Sequence, residues 1–234
     1  MNRNEFLAKL KENYIVINGY SSRNGADVLR IRHKTLLKDM ILRSYSERVR
    51  AYEFIKGINH PNLPKVYDVY NLSDGQIVLE EFINGISVAD VLENRNYTYG
   101  GAKKVICEVA KALSTLHSSG IIHRDIKPEN ILITNKGGVM LIDFNASREY
   151  TPGKFSDTKD LGTLGYAPPE QFGISQSDKR ADIYALGVLL NVMLTGKHPS
   201  EELAKGRIGK IVLKCTQIDK ESRFQSVEKL IEAL

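Results

Sequence analysis

Long apolar runs are missing from this 234-residue chain. No stretch reaches the roughly 20 residues that a membrane-spanning helix needs, so no membrane segment is expected. The opening MNRNEFLAKLKEN lacks the continuous apolar core of a signal peptide, and a cytoplasmic location is the expectation. Cysteine is scarce. Cys107 and Cys215 lie in separate apolar-periodic segments and read as buried free thiols, which argues against a disulfide or cysteine metal site. A strong charge imbalance is missing too: 33 Lys+Arg against 28 Asp+Glu leave a net +5, spread along the chain. That excess suits an anionic ligand such as a nucleotide but is too diffuse for a nucleic-acid partner. No internal repeat or low-complexity tract is present.

What remains is an ordinary globular composition, 42% hydrophobic and 26% charged. Residues 4–12 predict a short amphipathic helix with Phe6, Leu7 and Leu10 on one face. YIVI, DVLRIR and DMILR then read as strands, the first two joined by a turn at Asn24-Gly25. A helix is expected over 46–58, broken by HPNLP, and two more strands, KVYDVY and QIVLEEF, flank a turn at Ser73-Asp74-Gly75. After INGISV the period becomes helical at 101–118, 181–195 and 224–234. A strand-rich part followed by a helical part implies an α+β, two-lobed domain, 1–83 and 84–234, with room for a small ligand between the lobes.

Residues 121–133, IIHRDIKPENILI, place Asp125, Lys127 and Asn130 in one loop between apolar runs. A lone Asp-x-Lys is usually a solvated pair. Here HRDIKPEN is followed by LIDFN at 141–145, GTLGYAPPE at 162–170 and ADIYALGVLL at 181–190. A polar turn explains that joint spacing poorly.

The set resembles the signature of eukaryotic-like (Hanks-type) Ser/Thr protein kinases, most of all bacterial members. The resemblance implies a bilobal kinase-like fold, with a small antiparallel sheet and one helix in the N-lobe and a larger helical C-lobe. It implies ATP and Mg²⁺ as cofactors and a protein as substrate. By the same resemblance Asp125 accepts or orients the proton of the attacking hydroxyl, and Lys127 stabilises charge on the phosphoryl group. Asn130 and Asp143 bind Mg²⁺, a hard cation that prefers oxygen. His123 supports the loop, and Arg124 faces a phosphate on the 148–163 segment, at Ser156 or Thr158. Asp182 holds the backbone of 123–125, and Glu170 pairs with Arg223. For His60 and His117 the bland reading prevails, as a turn residue and a helix-end residue. His33 and His198 read as surface residues.

The N-terminal part departs from the family. The glycine-rich loop would fall at SSRNGA, 21–26, where Gly25 is off the matching position. The phosphate-binding strand lysine is replaced by Arg43, and the partner helix glutamate is either Glu47 or Glu53. VLEEFING puts Glu81 and Ile83 where backbone groups would bind adenine, and Glu80 at the usually apolar position before them. A buried carboxylate needs a partner, so a Glu80–Arg43 pair is expected if the strand register brings them to one face. Asn145 replaces the glycine after Asp-Phe, a position expected to need left-handed backbone, which Asn tolerates. Two readings follow: an active Ser/Thr protein kinase, or a pseudokinase acting as a nucleotide-binding or scaffolding module. A small-molecule kinase is disfavoured by the APPE-terminated segment.

Overall fold

A computed structural model describes residues 2–20, 27–150, 163–172 and 176–234. The Asn24-Gly25 turn and Ser156 and Thr158 lie outside the described residues. The chain divides into two compact units, Met1–Asn84 and Gly85–Leu234.

The first unit begins with helix α1 (Arg3–Asn13), started by a capping box. The Asn2 side chain accepts from the Glu5 N–H at 2.9 Å, and Glu5 Oε2 accepts from the Asn2 N–H at 3.1 Å. Such caps contribute about 1 kcal/mol. A five-stranded antiparallel sheet follows: β1 (Tyr14–Tyr20), β2 (Asp27–His33), β3 (Asp39–Tyr45), β4 (Val66–Leu72) and β5 (Gly75–Glu81), in the order β1-β2-β3-β5-β4. Strand alternation sends Ile31, Met40, Leu42, Ile77 and Leu79 to one face, where they pack with Phe6 of α1. Phe6 also tilts against Tyr70, ring centroids 4.5 Å apart.

Between β3 and β4 the expected helix over 46–58 shrinks to α2 (Ala51–Ile55). The cause is local. The Val49 N–H donates to Gln76 Oε1 of β5 at 3.0 Å, and no side chain caps the helix start. The stretch before Ala51 is thus tied to the sheet and cannot extend the helix.

The second unit contains β6 (Gly85–Ser87), α3 (Val88–Leu92) and α4 (Tyr99–Ser118), then β7 (Ile121–Ile122), β8 (Ile131–Thr134), β9 (Val139–Leu141) and β10 (Arg148–Glu149). Helices α5 (Arg180–Thr195), α6 (Gly206–Cys215) and α7 (Val227–Ala233) complete it. Strands β6-β8-β9 form one small sheet, and β10 pairs with β7. Helix α5 is buried almost all round. Its Gly187 meets α6 so closely that an added Cβ would lie 2.3 Å from Cys215 Cβ. Cys215, the last residue of α6, is fully buried as expected. Cys107, expected to be buried, is only half-buried on α4.

Candidate active site

The loop 123–130 is positioned from beneath by Asp182, in the first turn of α5. This carboxylate is fully buried. Its Oδ2 accepts from the His123 N–H at 3.0 Å and its Oδ1 from the Arg124 N–H at 2.8 Å. Arg124 has φ 69°, a left-handed conformation disfavoured for a residue with a side chain. The two bonds to Asp182 help hold it there. Sequence reasoning missed a third partner: His117 Nε2 lies 2.7 Å from Asp182 Oδ2. A helix-end histidine gives no signal of this, since its partner lies 65 positions away. Burial alone would raise the Asp182 carboxyl, but the His117 hydrogen bond, the charges of His117 and His123 and the backbone N–H outweigh it and lower its pKa.

Above that support, Asp125 is buried in a closed set of partners. Its Oδ2 lies 2.8 Å from Lys127 Nζ and 2.9 Å from Asn130 Nδ2. Thr163 donates its hydroxyl to Asp125 Oδ1 at 2.7 Å and accepts from Lys127 Nζ at 2.9 Å. Asn130 Nδ2 also donates to the Asp125 carbonyl at 2.8 Å. Burial disfavours the charged carboxylate, yet hydrogen bonds from Lys127 and Thr163 and the Lys127 charge win, so its pKa is lowered and it stays ionised at neutral pH.

The β8–β9 hairpin carries the remaining members. Asn130 directly precedes β8, and Ile131 pairs with Leu141, so Asn130 and Asp143 fall at the same end of the hairpin. The Ile142 N–H donates to the Asn130 carbonyl at 2.9 Å. Asp143 takes φ 66°, and its Oδ1 accepts from the Asn145 N–H at 3.3 Å. The left-handed residue of this turn is therefore Asp143 and not Asn145. A side-chain carboxylate that turns back on the local backbone stabilises that conformation. Phe144 packs edge-on against His123, whose imidazole burial pushes its pKa down against the pull of Asp182, Asp125 and Asp143.

Further along, Glu170 and Arg223 form the expected pair, a buried fork of 2.6 and 2.9 Å. His198, expected at the surface, lies 2.9 Å from the Gly165 carbonyl through Nε2, in the segment that carries Thr163.

In the first unit Arg43 and Glu80 meet. Arg43 pairs with Val78 across β3 and β5, which sets Glu80 diagonally opposite on the same face. Arg43 Nε donates to Glu80 Oε1 at 2.6 Å, with side chains 9% and 2% exposed. Of the candidate helix glutamates, Glu53 lies on α2 and bonds Arg48 at 2.8 Å and Asn71 at 2.9 Å. Glu81 closes β5, its N–H donating to the Lys65 carbonyl at 2.8 Å, and Ile83 lies half-buried in the segment beyond. Gly25 lies outside the described residues.

The protein kinase domain family matches residues 22–233, and the chain belongs to that family, with its α+β fold. It is 38% identical to an Aurora kinase of Debaryomyces hansenii, over 70% of this chain and 42% of that protein. It is 34% identical to a probable serine/threonine-protein kinase of Clostridium perfringens, over 68% and 23% of the two chains. It is 35% identical to serine/threonine-protein kinase PknJ of Mycobacterium tuberculosis, over 74% and 30%. The chain thus spans less than half the length of these relatives.

Proposed function

We propose that the chain transfers the γ-phosphoryl group of ATP to serine or threonine hydroxyls of a protein. The observation that carries this reading is the Asp125–Lys127–Asn130–Thr163 assembly. Phosphoryl transfer needs a fixed carboxylate beside a fixed cation, because catalysis is mostly positioning and charge stabilisation. Asp125 accepts or orients the proton of the attacking hydroxyl; its lowered pKa keeps it an ionised acceptor, and its contacts with Lys127, Asn130 and Thr163 fix its direction. Lys127 stabilises charge on the transferred group.

Mg²⁺ fits the donor set at the hairpin end. Asn130 engages its amide nitrogen with Asp125, which leaves the amide oxygen for a cation beside the Asp143 carboxylate. Bound there, the ion supplies neutralisation of phosphate charge. For the nucleotide, Arg43 is the residue for the α- or β-phosphate, the backbone of Glu81 and Ile83 serves adenine, and Gly25 is the glycine proposed for the phosphates.

The test is transfer of labelled phosphate from Mg-ATP to a generic basic protein, with Asp125→Asn as control. Transfer by the parent chain and a loss of about a hundredfold or more in the variant are expected. No transfer by either would overturn the reading in favour of a nucleotide-binding or scaffolding module, and equal transfer by both would overturn the role given to Asp125.

A further inference from the structure

The turn that carries Thr163 is tied to the rest of the second unit by His198, a side chain outside the Asp125 assembly. Residues 163–167 close on the Thr163 carbonyl, which accepts from the Tyr166 and Ala167 N–H groups, each at 3.0 Å. Gly165 lies inside this turn with φ 89°, a conformation that favours glycine. Its carbonyl meets His198 Nε2 at 2.9 Å, 33 positions away in the chain. Chemistry sets the direction of that bond. A carbonyl only accepts, so Nε2 carries the hydrogen, and the Ser200 N–H, which only donates, meets Nδ1 at 3.2 Å. The Ser200 hydroxyl lies 2.7 Å from the same nitrogen. Both ring nitrogens are engaged, which fixes the orientation of the ring.

His198 stands on a fixed base. Its own carbonyl accepts from the Glu201 and Glu202 N–H groups at 2.9 and 3.1 Å. Asn191 of α5 is fully buried and grips this loop along its length. Its Nδ2 donates to the Lys197 and Glu202 carbonyls at 2.9 and 2.7 Å, and its Oδ1 accepts from the Ala204 N–H at 2.8 Å. A continuous set of hydrogen bonds therefore runs from the core of the unit through His198 and Gly165 to the turn of Thr163. The Thr163 hydroxyl then bridges Asp125 and Lys127 at 2.7 and 2.9 Å.

We propose that His198 is a positioning residue: its bond to the Gly165 carbonyl holds the Thr163 hydroxyl between Asp125 and Lys127. The consequence for turnover rests on the phosphoryl-transfer reading, whereas the consequence for geometry does not. Residues that act through one another give non-additive effects when changed together, and the test reads that property.

The first arm is NMR on the isotope-labelled full chain. His198→Leu removes the donor, whereas the amide of His198→Gln can place an N–H where Nε2 stands. The Thr163 methyl and Asp125 amide signals are expected to move in His198→Leu and to stay near their parent positions in His198→Gln. The second arm is phosphate transfer from Mg-ATP to the generic basic protein. His198→Leu should lower kcat about fivefold, the worth of one hydrogen bond, with KM for ATP unchanged, and His198→Gln should restore most of the loss. In Thr163→Val, where the bridging hydroxyl is gone, adding His198→Leu should lower kcat no further. Unmoved Thr163 and Asp125 signals in His198→Leu, equal kcat losses in the Leu and Gln variants, or the same fivefold loss in the Thr163→Val background would each overturn the proposal. A parent chain that transfers no phosphate would overturn the proposed function, and the NMR arm would then decide this inference alone. Should His198→Leu not fold, the nitrogen spectrum of the parent His198 ring decides: hydrogen on Nε2 is expected, and hydrogen on Nδ1 alone would overturn the bond to Gly165.

Discussion

Glu80→Ala is the sharpest perturbation the first unit offers. The Arg43–Glu80 contact is 2.6 Å long, with the two side chains 9% and 2% exposed. Removing one member leaves a cation in a setting with little water, and breaking such buried pairs costs about 3–5 kcal/mol. Even the lower figure lowers the folded-to-unfolded ratio more than a hundredfold. Replacing both members with apolar residues of similar volume, Arg43→Met with Glu80→Leu, removes both desolvation costs and should be neutral or stabilising by about 1–4 kcal/mol. The assay is equilibrium urea unfolding, followed on amide signals of β3 and β5 so that the first unit is read by itself. The single variants Arg43→Met and Glu80→Leu and the double variant close a cycle. A Glu80→Ala cost below about 1 kcal/mol would mean that the pair behaves as a solvated surface contact. A double variant as unstable as the sum of the singles would mean that the two residues are not coupled. Either result would refute the reasoning. The same proteins test the nucleotide role: Arg43→Lys should retain ATP binding and Arg43→Ala should weaken it.

Other outcomes follow from packing and titration. Gly187→Ala places a methyl group 2.3 Å from Cys215 Cβ, so α5 and α6 must separate; a loss of about 1–3 kcal/mol is expected in thermal unfolding, and an unchanged melting temperature would contradict the close approach. Asp178 is lowered from 3.8 to about 2, as burial is outweighed by the Arg180 hydrogen bonds and by the Arg180 and Lys220 charges. A depressed folded pKa means stability that is present above the unfolded value and lost as pH falls, so Asp178→Asn should flatten the pH dependence of unfolding between about 4 and 2; an identical acid profile would count against it.

The spacing of HRDIKPEN, LIDFN, GTLGYAPPE and ADIYALGVLL was enough to determine the family and the phosphoryl-transfer candidates, because a loop and a hairpin place Asp125, Lys127, Asn130 and Asp143 through short-range geometry. The strand alternation of the first unit was legible for the same reason: a period of two reads directly as a buried and an open face. Helix 46–58 was over-read because its apolar period says nothing of Gln76, which captures the Val49 N–H from another strand. Asn145 was assigned the left-handed turn by residue type, whereas φ at Asp143 depends on how the hairpin end closes. The Glu80–Arg43 pair was posed by sequence but decided by register, since a slip of one residue would send Glu80 to the other face. His117 on Asp182 belonged wholly to tertiary structure. It joins the end of α4 to the start of α5, and nothing local marks a histidine whose partner is distant in the chain and whose value lies in a fully buried carboxylate.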